Sequence, residues 1–322
     1  MLPMDIDLRP LSLGQILDRT FQFYRSRFLL FFGIAAVAGA VEMVWSLVQM
    51  LESSLLLRHH ISPILIQSIN SGVSILAWVV TFGVSALAMA ATNRALYDLY
   101  EDRRTGILAA YAQIRSHWFR YLWLNIVTFF LAWGLVVAIV GGVAGSIAVA
   151  AQTKSLTQAN VVTAIYSGMG LLIFLALPLC IWLTLRYSMA NAASVSEDLG
   201  IRKSLKRSVL LSKDLRARIF VLLLVIFLAQ FFFGIALAAP VFAVIVRHPN
   251  HVSVVIRAYI LAVGFLGNAL IKPIYCIGLT LFYLDARIRK EGYDVEWALH
   301  HQPEIALQSP DTTTPLSEPM LG

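Results

Sequence analysis

The sequence predicts an all-α membrane protein with six transmembrane helices in three hairpins, each preceded by an amphipathic helix in the cytoplasmic interface. Three observations lead to this prediction. Of the 322 residues, 59% are hydrophobic and only 13% are charged, and the mean hydropathy is +0.76. Six apolar stretches are long enough to cross a bilayer, and a unit of similar pattern recurs three times along the chain.

The six apolar stretches are the predicted spans. A soluble domain is usually about a quarter charged, so much of this chain must face lipid. A spanning helix needs about 20 apolar residues. The stretches that qualify are roughly 28–51, 71–93, 119–151, 161–186, 218–246 and 253–284. The third is longer than a perpendicular crossing requires, so we expect it to tilt or to extend beyond the hydrocarbon.

The basic residues predict the orientation. If the N-terminus is cytoplasmic, 20 of the 25 Lys and Arg residues lie on the cytoplasmic side, and Lys272 lies within a span. The four on the outer side are Arg58, Lys154, Arg247 and Arg257. Under the positive-inside rule, we expect a multi-pass protein of a bacterial cytoplasmic membrane with both termini cytoplasmic. Because the basic residues lie between apolar runs, the net charge of +7 does not indicate a nucleic-acid partner.

The repeated unit is a short amphipathic segment followed by a span out and a span back. The segments begin at Gly14, Gly106 and Gly200, at spacings of 92 and 94, and Gly292 follows after another 92. Their apolar residues recur every three or four positions, a pattern typical of helices in the membrane interface. We predict one membrane domain over residues 1–302, with units at about 10–100, 105–195 and 200–290. The tail, 303–322, is rich in Pro, Ser and Thr, and we expect it to be disordered in the cytoplasm.

Two charged residues lie deep inside spans. Glu42 in the first and Lys272 in the sixth each lie 12 to 14 residues from the cytoplasmic end, or roughly 20 Å deep. A charge at that depth is costly unless it is paired or faces water. We hypothesise that the two spans touch and that these residues form an ion pair or line a polar cavity, joined by Asn268 and Gln230. Three interpretations stay open: a pair that fixes helix packing, a transport or proton-coupling site, or one residue that snorkels.

A basic run precedes the fifth span, and its charge suits anionic lipid headgroups on the cytoplasmic side. The run also serves to set topology, and a specific lipid or protein docking site is the sharper alternative. Its members are Arg202, Lys203, Lys206, Arg207, Lys213, Arg216 and Arg218.

Catalytic and metal-binding patterns are absent from the sequence. It contains no nucleophile elbow, HExxH, P-loop or dinucleotide-binding fingerprint. Cys180 and Cys276 lie inside apolar runs and are expected to be core residues. The histidine pairs His59-His60, His248-His251 and His300-His301 are expected to be solvated, because no carboxylate or cysteine spacing supports a metal site. We therefore expect neither enzyme activity nor a cofactor.

Three segments resemble a known family. They are LRPLSLGQILDRTFQFYRSRF (8–28), ASVSEDLGIRKSLKRSVLLSKDLRARIF (193–220) and PIYCIGLTLFYLDARIRKEGYDVEWAL (273–299). They are similar to signatures of the glycerophosphoryl diester phosphodiesterase membrane-domain family and of related uncharacterised bacterial integral membrane proteins. The family takes its name from members fused to a soluble catalytic barrel. This chain has no room for such a barrel, so the resemblance implies a membrane domain without phosphodiesterase activity.

Two functional classes follow. The first is a non-enzymatic membrane or envelope organiser, a scaffold that contacts lipids or proteins through the amphipathic helices. The alternative is a small permease or channel for lipid-like or polar solutes at Glu42 and Lys272. The sequence leaves open whether the protein is a homo-oligomer.

Overall fold

The computed structural model describes residues 10–58, 63–101, 103–152, 159–247 and 254–293. Within these ranges every regular element is helical and there is no strand. The helices are α1 (Leu13–Ser26), α2 (Phe28–Arg58), α3 (Pro63–Tyr100), α4 (Ile107–Ile114), α5 (Trp118–Gln152), α6 (Ala159–Tyr187), α7 (Ala190–Ser196), α8 (Ile201–Ser212), α9 (Arg216–Arg247) and α10 (Val254–Glu291), with a 3₁₀ turn at Arg115–His117.

Six of these helices are long and apolar enough to cross a membrane: α2, α3, α5, α6, α9 and α10. The predicted fold class, an all-α multi-pass membrane protein with six spans, is confirmed. The third spanning helix, α5, has 35 residues, or about 52 Å at 1.5 Å per residue. It therefore exceeds the roughly 30 Å of bilayer hydrocarbon, as the length of its apolar run predicted.

Consecutive spanning helices pack against each other as α2 with α3, α5 with α6, and α9 with α10. Helix α10 also packs along α2, so the last hairpin closes against the first. The end of the bundle where α2, α5 and α9 begin and where α3, α6 and α10 end is called the basic end below. The short helices α1, α4, α7 and α8 all lie in the connections at this end.

The buried core lies at the basic end. It joins spanning and short helices, because Ile16 of α1, Ile114 of α4 and Leu211 of α8 are buried in one cluster with Leu96 of α3 and Phe282 of α10. Away from this end, large apolar side chains on the spans are exposed, as lipid-facing residues must be. Side-chain packing therefore fixes the basic end of the bundle most strongly.

Helix α1 begins with a capping box. The Ser12 N–H donates to Gln15 Oε1 at 2.8 Å, and the Gln15 N–H donates to Ser12 Oγ at 3.4 Å. These bonds satisfy backbone N–H groups that a helix start leaves without partners. The helix then buries Ile16, Thr20 and Phe23 and packs on α10.

Helix α8 forms where the sequence predicts an amphipathic helix, but its buried face is mostly serine. Ser208 and Ser212 donate to the carbonyl of Arg186 at 3.0 and 3.2 Å, and the Met189 N–H donates to Ser208 Oγ at 3.2 Å. These hydroxyls satisfy backbone groups at the end of α6. Small polar side chains thus hold α8 close to the bundle.

The fourth glycine of the repeat ends a helix. Gly292 follows the last residue of α10 with φ of 66°, in the left-handed region that glycine adopts without a steric cost. The segment expected to open there continues beyond 293, outside the described residues. The predicted tail, 303–322, and the six histidines of the predicted loops and tail also lie outside them.

Candidate functional site

Glu42 and Lys272 form an ion pair inside the membrane. Lys272 Nζ of α10 lies 3.0 Å from Glu42 Oε1 of α2, so the predicted contact between the first and sixth spans is present. Asn268 Nδ2 donates to Glu42 Oε2 at 2.9 Å, as the sequence suggested. Ser85 of α3, which was not predicted from the sequence, donates to Glu42 Oε1 at 3.2 Å and accepts from Lys272 Nζ at 3.3 Å. Three spanning helices therefore meet at one carboxylate.

The electrostatics of this pair suit a packing role. Glu42 accepts hydrogen bonds from three side chains, which compensates for its removal from water. The Glu42 side chain is 24% exposed and that of Lys272 is 44% exposed, so the pair lies at the edge of the bundle. Helix α10 continues without a break through Pro273, next to Lys272. The structure thus lacks, at this point, the interrupted helix that transporters use to bind ions.

Gln230 does not join the pair, contrary to the prediction. It is exposed on α9 and lies beside Gly267 of α10. Asn268 and Lys272 point roughly 100–140° around α10 from Gly267, since each helical residue turns about 100°. Counting residues gave the depth of Gln230 correctly, but Gln230 faces a different side of α10.

The seven residues of the predicted basic run divide into two groups. Four are exposed and remain candidates for headgroup contact: Arg202, Lys203, Lys206 and Lys213. The other three bind other parts of the protein. Arg207 binds two carboxylates, Arg216 stacks on Trp182, and Arg218 Nη1 donates to the Leu11 carbonyl at 3.5 Å.

Arg207 is the centre of a charge network at the basic end. Its Nε and Nη2 donate to Glu197 Oε1 at 3.0 and 2.8 Å, and its Nη1 and Nη2 bind the two carboxylate oxygens of Glu291. Burial would lower the pKa of Arg207, but the hydrogen bonds to Glu291 and Glu197 outweigh it and raise the pKa. Tyr283 also donates to Glu197, and Arg287 Nε lies 3.6 Å from the same oxygen. The network joins α8 to α10 through the segment between α7 and α8.

A second polar contact at the basic end holds the segment before α1. It was not predicted from the sequence. Asp285 of α10 has a fully buried side chain, and its Oδ1 accepts from the Leu11 N–H at 2.8 Å. Arg289 Nε donates to Asp285 Oδ2 at 2.8 Å, and Arg289 Nη2 donates to the Leu11 carbonyl at 2.6 Å. Both backbone groups of Leu11 are therefore bound by one turn of α10.

A chain of buried polar side chains, one hydroxyl and two amides, crosses the core between α10, α3 and α7. Thr280 Oγ1 donates to Asn93 Oδ1 at 2.9 Å, and Asn93 Nδ2 donates to Asn191 Oδ1 at 3.5 Å. All three residues are at most 5% exposed. Asn191 Nδ2 is buried and has no hydrogen-bond partner among the described residues, which is rare in a folded protein.

Two arginines stack on one tryptophan where α6 ends and α9 begins. The Cζ atoms of Arg186 and Arg216 lie 5.1 and 5.4 Å from the centre of the Trp182 ring. The Nε of each guanidinium is buried without a hydrogen-bond partner, and neither arginine forms an ion pair within the described residues. Arg186 also lines, with Lys206, a cavity of about 370 Å³ between α6 and α8. This surface therefore combines positive charge, aromatic rings and unused donors.

The described residues contain no group of three His, Cys, Asp or Glu side chains that would hold a metal ion. Cys180 and Cys276 are free and buried, as expected of core residues. Comparisons of the chain with protein-family models, curated proteins and solved structures gave no match.

Proposed function

We propose that this protein is a non-enzymatic scaffold of a bacterial cytoplasmic membrane that binds anionic lipids at its basic end. The observation that carries the proposal is the stack of Arg186 and Arg216 on Trp182, together with their unpaired buried Nε atoms. Guanidinium groups bind phosphate through paired N–H donors, and a buried donor without a partner is costly. A phosphate oxygen of a lipid headgroup supplies the missing acceptor.

The orientation is part of this proposal. Of the 23 Lys and Arg residues that the structure describes, 19 lie at the basic end, so we assign this end and both termini to the cytoplasm. Trp118, Phe119 and Trp123 are exposed where α5 begins, at the depth where aromatic rings contact headgroups. Anionic lipids of the cytoplasmic leaflet face the same residues.

A rigid basic end supports a scaffold more than a flexible anchor. Asp285 holds the start of α1, and the Arg207 network holds α8, so both short helices have fixed positions on α10. The exposed Lys203 and Lys206 of α8 are then presented at a defined place on the membrane surface. Such a surface is suited to arranging lipids, or envelope proteins bound to them, around the bundle.

Native mass spectrometry of the purified protein with phosphatidylglycerol or phosphatidylcholine tests lipid binding. We expect wild type to retain phosphatidylglycerol preferentially. The double substitution Arg186→Gln with Arg216→Gln is expected to lower that retention by about tenfold, as the loss of one or two charge-assisted hydrogen bonds would.

The matched control changes Arg103 and Arg104 to Gln. Both residues are exposed between α3 and α4, and the control removes the same charge from the same end of the protein. Retention that falls equally in both double variants would mean general Coulomb attraction and would contradict a site at Trp182. Equal retention of the two lipids by wild type would contradict anionic-lipid binding altogether.

A permease is the second candidate, and one observation favours it: Lys272 is 44% exposed at mid-membrane depth although it is paired with Glu42. An exposed intramembrane charge is uncommon unless water or solute reaches it. Proton flux into proteoliposomes, measured with a pH-sensitive dye, separates the candidates. A proton flux that is abolished in a stably folded Glu42→Gln variant would establish transport. If the flux with wild type does not exceed that of protein-free vesicles, the permease is contradicted and the scaffold remains the proposed function.

We also propose membership of the membrane-domain family that the three segments resemble. In its support, those segments meet at the basic end: Leu11 of the first binds Asp285 of the third, and Arg207 of the second binds Glu291 of the third. Residues far apart in the chain that resemble one family pattern thus pack together at one end of the bundle.

A further inference from the structure

A second cavity, of about 230 Å³, lies between α3, α5, α6, α7 and α10. Its volume is slightly below the roughly 300–1,000 Å³ of small-molecule pockets, so it suits part of a larger ligand. On α5 its lining extends from Leu124 to Trp133, which is about 14 Å along the helix. The cavity is therefore elongated along the bundle axis, the direction in which lipid chains run.

The lining changes in polarity along this axis. The residues farther from the basic end are apolar and include Phe82, Phe129 and Trp133. Those nearer the basic end include the polar residues Asn125, Ser188 and Asn191, beside the apolar Leu124. This gradient is the one that a membrane lipid has, with its polar part at the interface and its chains inward. None of the lining residues is Lys, Arg, Asp or Glu, so the matching part of a ligand is uncharged.

The hydrogen bonds of the polar lining residues indicate which hydrogen-bonding group the uncharged part of the ligand needs. Asn125 Nδ2 donates to the Tyr121 carbonyl at 3.2 Å, and Ser188 Oγ donates to the Leu185 carbonyl at 2.9 Å. Asn191 is 5% exposed, its Oδ1 is bound by Asn93, and its Nδ2 has no partner. Among these three residues, that donor is the buried polar atom without a partner, and in a lining without charged residues it calls for an acceptor without charge.

We infer that this cavity binds a glycerolipid from the leaflet at the basic end, with an ester carbonyl that accepts a hydrogen bond from Asn191 Nδ2. The ester region of such a lipid is uncharged, lies just below the headgroups and has two carbonyl acceptors. One acyl chain passes Phe82 and Phe129, and the remainder of the lipid stays in the bilayer. The contact is independent of headgroup charge, so this inference goes beyond the proposed anionic-lipid surface.

Photo-crosslinking in vesicles tests the site. A diacylglycerol probe with a photoreactive group on one acyl chain is expected to label the lining helices, at residues 82–89 of α3 and 124–133 of α5. Ala132→Leu fills the cavity, because Ala132 lines it and is 5% exposed, and it should lower labelling there about fivefold or more. Ala138→Leu is the matched control, since Ala138 is exposed on the same helix, and it should leave labelling unchanged.

Competition with unlabelled lipids tests the recognised group on wild type, so it does not depend on how a variant folds. Diacylglycerol is expected to compete about three- to tenfold better than its dialkyl ether analogue, because the ether lacks the carbonyl. Equal competition by the two lipids would overturn recognition through Asn191. Labelling confined to other helices, or unchanged by Ala132→Leu in a folded variant, would overturn the site.

The two lipid proposals fail separately. Arg186→Gln with Arg216→Gln is expected to reduce retention of phosphatidylglycerol but not diacylglycerol labelling. Ala132→Leu is expected to reduce diacylglycerol labelling but not retention of phosphatidylglycerol. If the arginine variant also loses the diacylglycerol label while it stays folded, the two surfaces are one headgroup site and the separate ester site is wrong.

Discussion

Asp285 accepts a 2.8 Å hydrogen bond from the backbone N–H of Leu11, 274 positions earlier in the chain. Arg289 completes the contact by binding both Asp285 and the Leu11 carbonyl. The start of α1 is thereby held on the end of α10, in a region where backbone groups have little water to bind. The contact ties the first described segment to the last spanning helix.

Replacement of Asp285 by Leu is expected to lower the free energy of unfolding by about 1–3 kcal/mol, because it leaves the buried Leu11 N–H without a partner. Leucine keeps the branched shape and the number of side-chain heavy atoms, although its methyl groups are larger than the carboxylate oxygens. The unfolding midpoint in detergent, followed by tryptophan fluorescence, checks the effect. Tryptic cleavage at Arg19 should also become faster, since α1 loses its attachment.

The control for this prediction is Asp214→Asn. Asp214 pairs with Lys290 at 2.8 Å on the surface of the same end, and its side chain is 70% exposed. Exposed pairs add little to stability, so the midpoint should stay at the wild-type value. Equal losses in the two variants would contradict a special role of the Leu11 contact.

For the Glu42–Lys272 pair, we expect the unfolding midpoint to recover when both charges are removed together. Lys272→Met leaves a carboxylate in the membrane without its counter-ion, and Glu42→Gln leaves an ammonium group, so each should lower the unfolding midpoint. The double variant should regain more than half of the loss, since an apolar or neutral pair replaces an ion pair within the membrane at little cost. Additive losses would show that the residues act independently.

The ion pair of Asp198, which lies outside the membrane-spanning segments, predicts that the stability of the protein depends on pH. A hydrogen bond from Arg120 lowers the pKa of Asp198 below its usual value of 3.8. A lowered pKa in the folded state means that the contribution to stability is present above pH 4 and is lost as the pH falls through the lowered pKa. The effect is small, because the Asp198 side chain is 71% exposed.

The variant Asp198→Asn tests this dependence. Asp198 has φ of 51°, a left-handed conformation that Asn also tolerates, so the substitution removes the charge without straining the backbone. The unfolding midpoint should be slightly lower than that of wild type at pH 6, and the two midpoints should converge as the pH falls through the lowered pKa of Asp198. A gap that stays constant over this range would contradict the ion pair as its cause.

The spans and the Glu42–Lys272 contact were predictable because they depend on the length of an apolar run and on the depth of a residue within it, and both follow from residue numbers. Apolar length predicts a span, and the rise per residue predicts depth. Gln230 shows the limit, since its depth is right but its side of the helix is not. Which way a residue faces depends on how neighbouring helices pack, and no single helix contains that information.

The polar contacts of the basic end were not predictable for a related reason. Asp285 and Glu197 lie near the ends of spans, where charged residues normally face water, so the sequence does not indicate that either one is in the core. Their partners, Leu11 and Arg207, are brought to them only by packing of the complete bundle. The serine spacing of α8, at 204, 208 and 212, was the one visible signal of a close-packed face.

Lys206 and Arg207 are adjacent in the basic run, yet opposite effects are expected for them. Arg207→Lys should lower the unfolding midpoint, because lysine cannot bind Glu197 and Glu291 through a planar fork of N–H donors. Lys206→Gln should leave the midpoint unchanged and reduce phosphatidylglycerol retention, since Lys206 is exposed beside Arg186. Native mass spectrometry and thermal unfolding of the two variants measure both quantities. A stable Arg207→Lys variant that loses lipid would assign Arg207 to the membrane surface. The side of the helix on which a basic residue lies therefore decides whether its role is structural or lipid-binding.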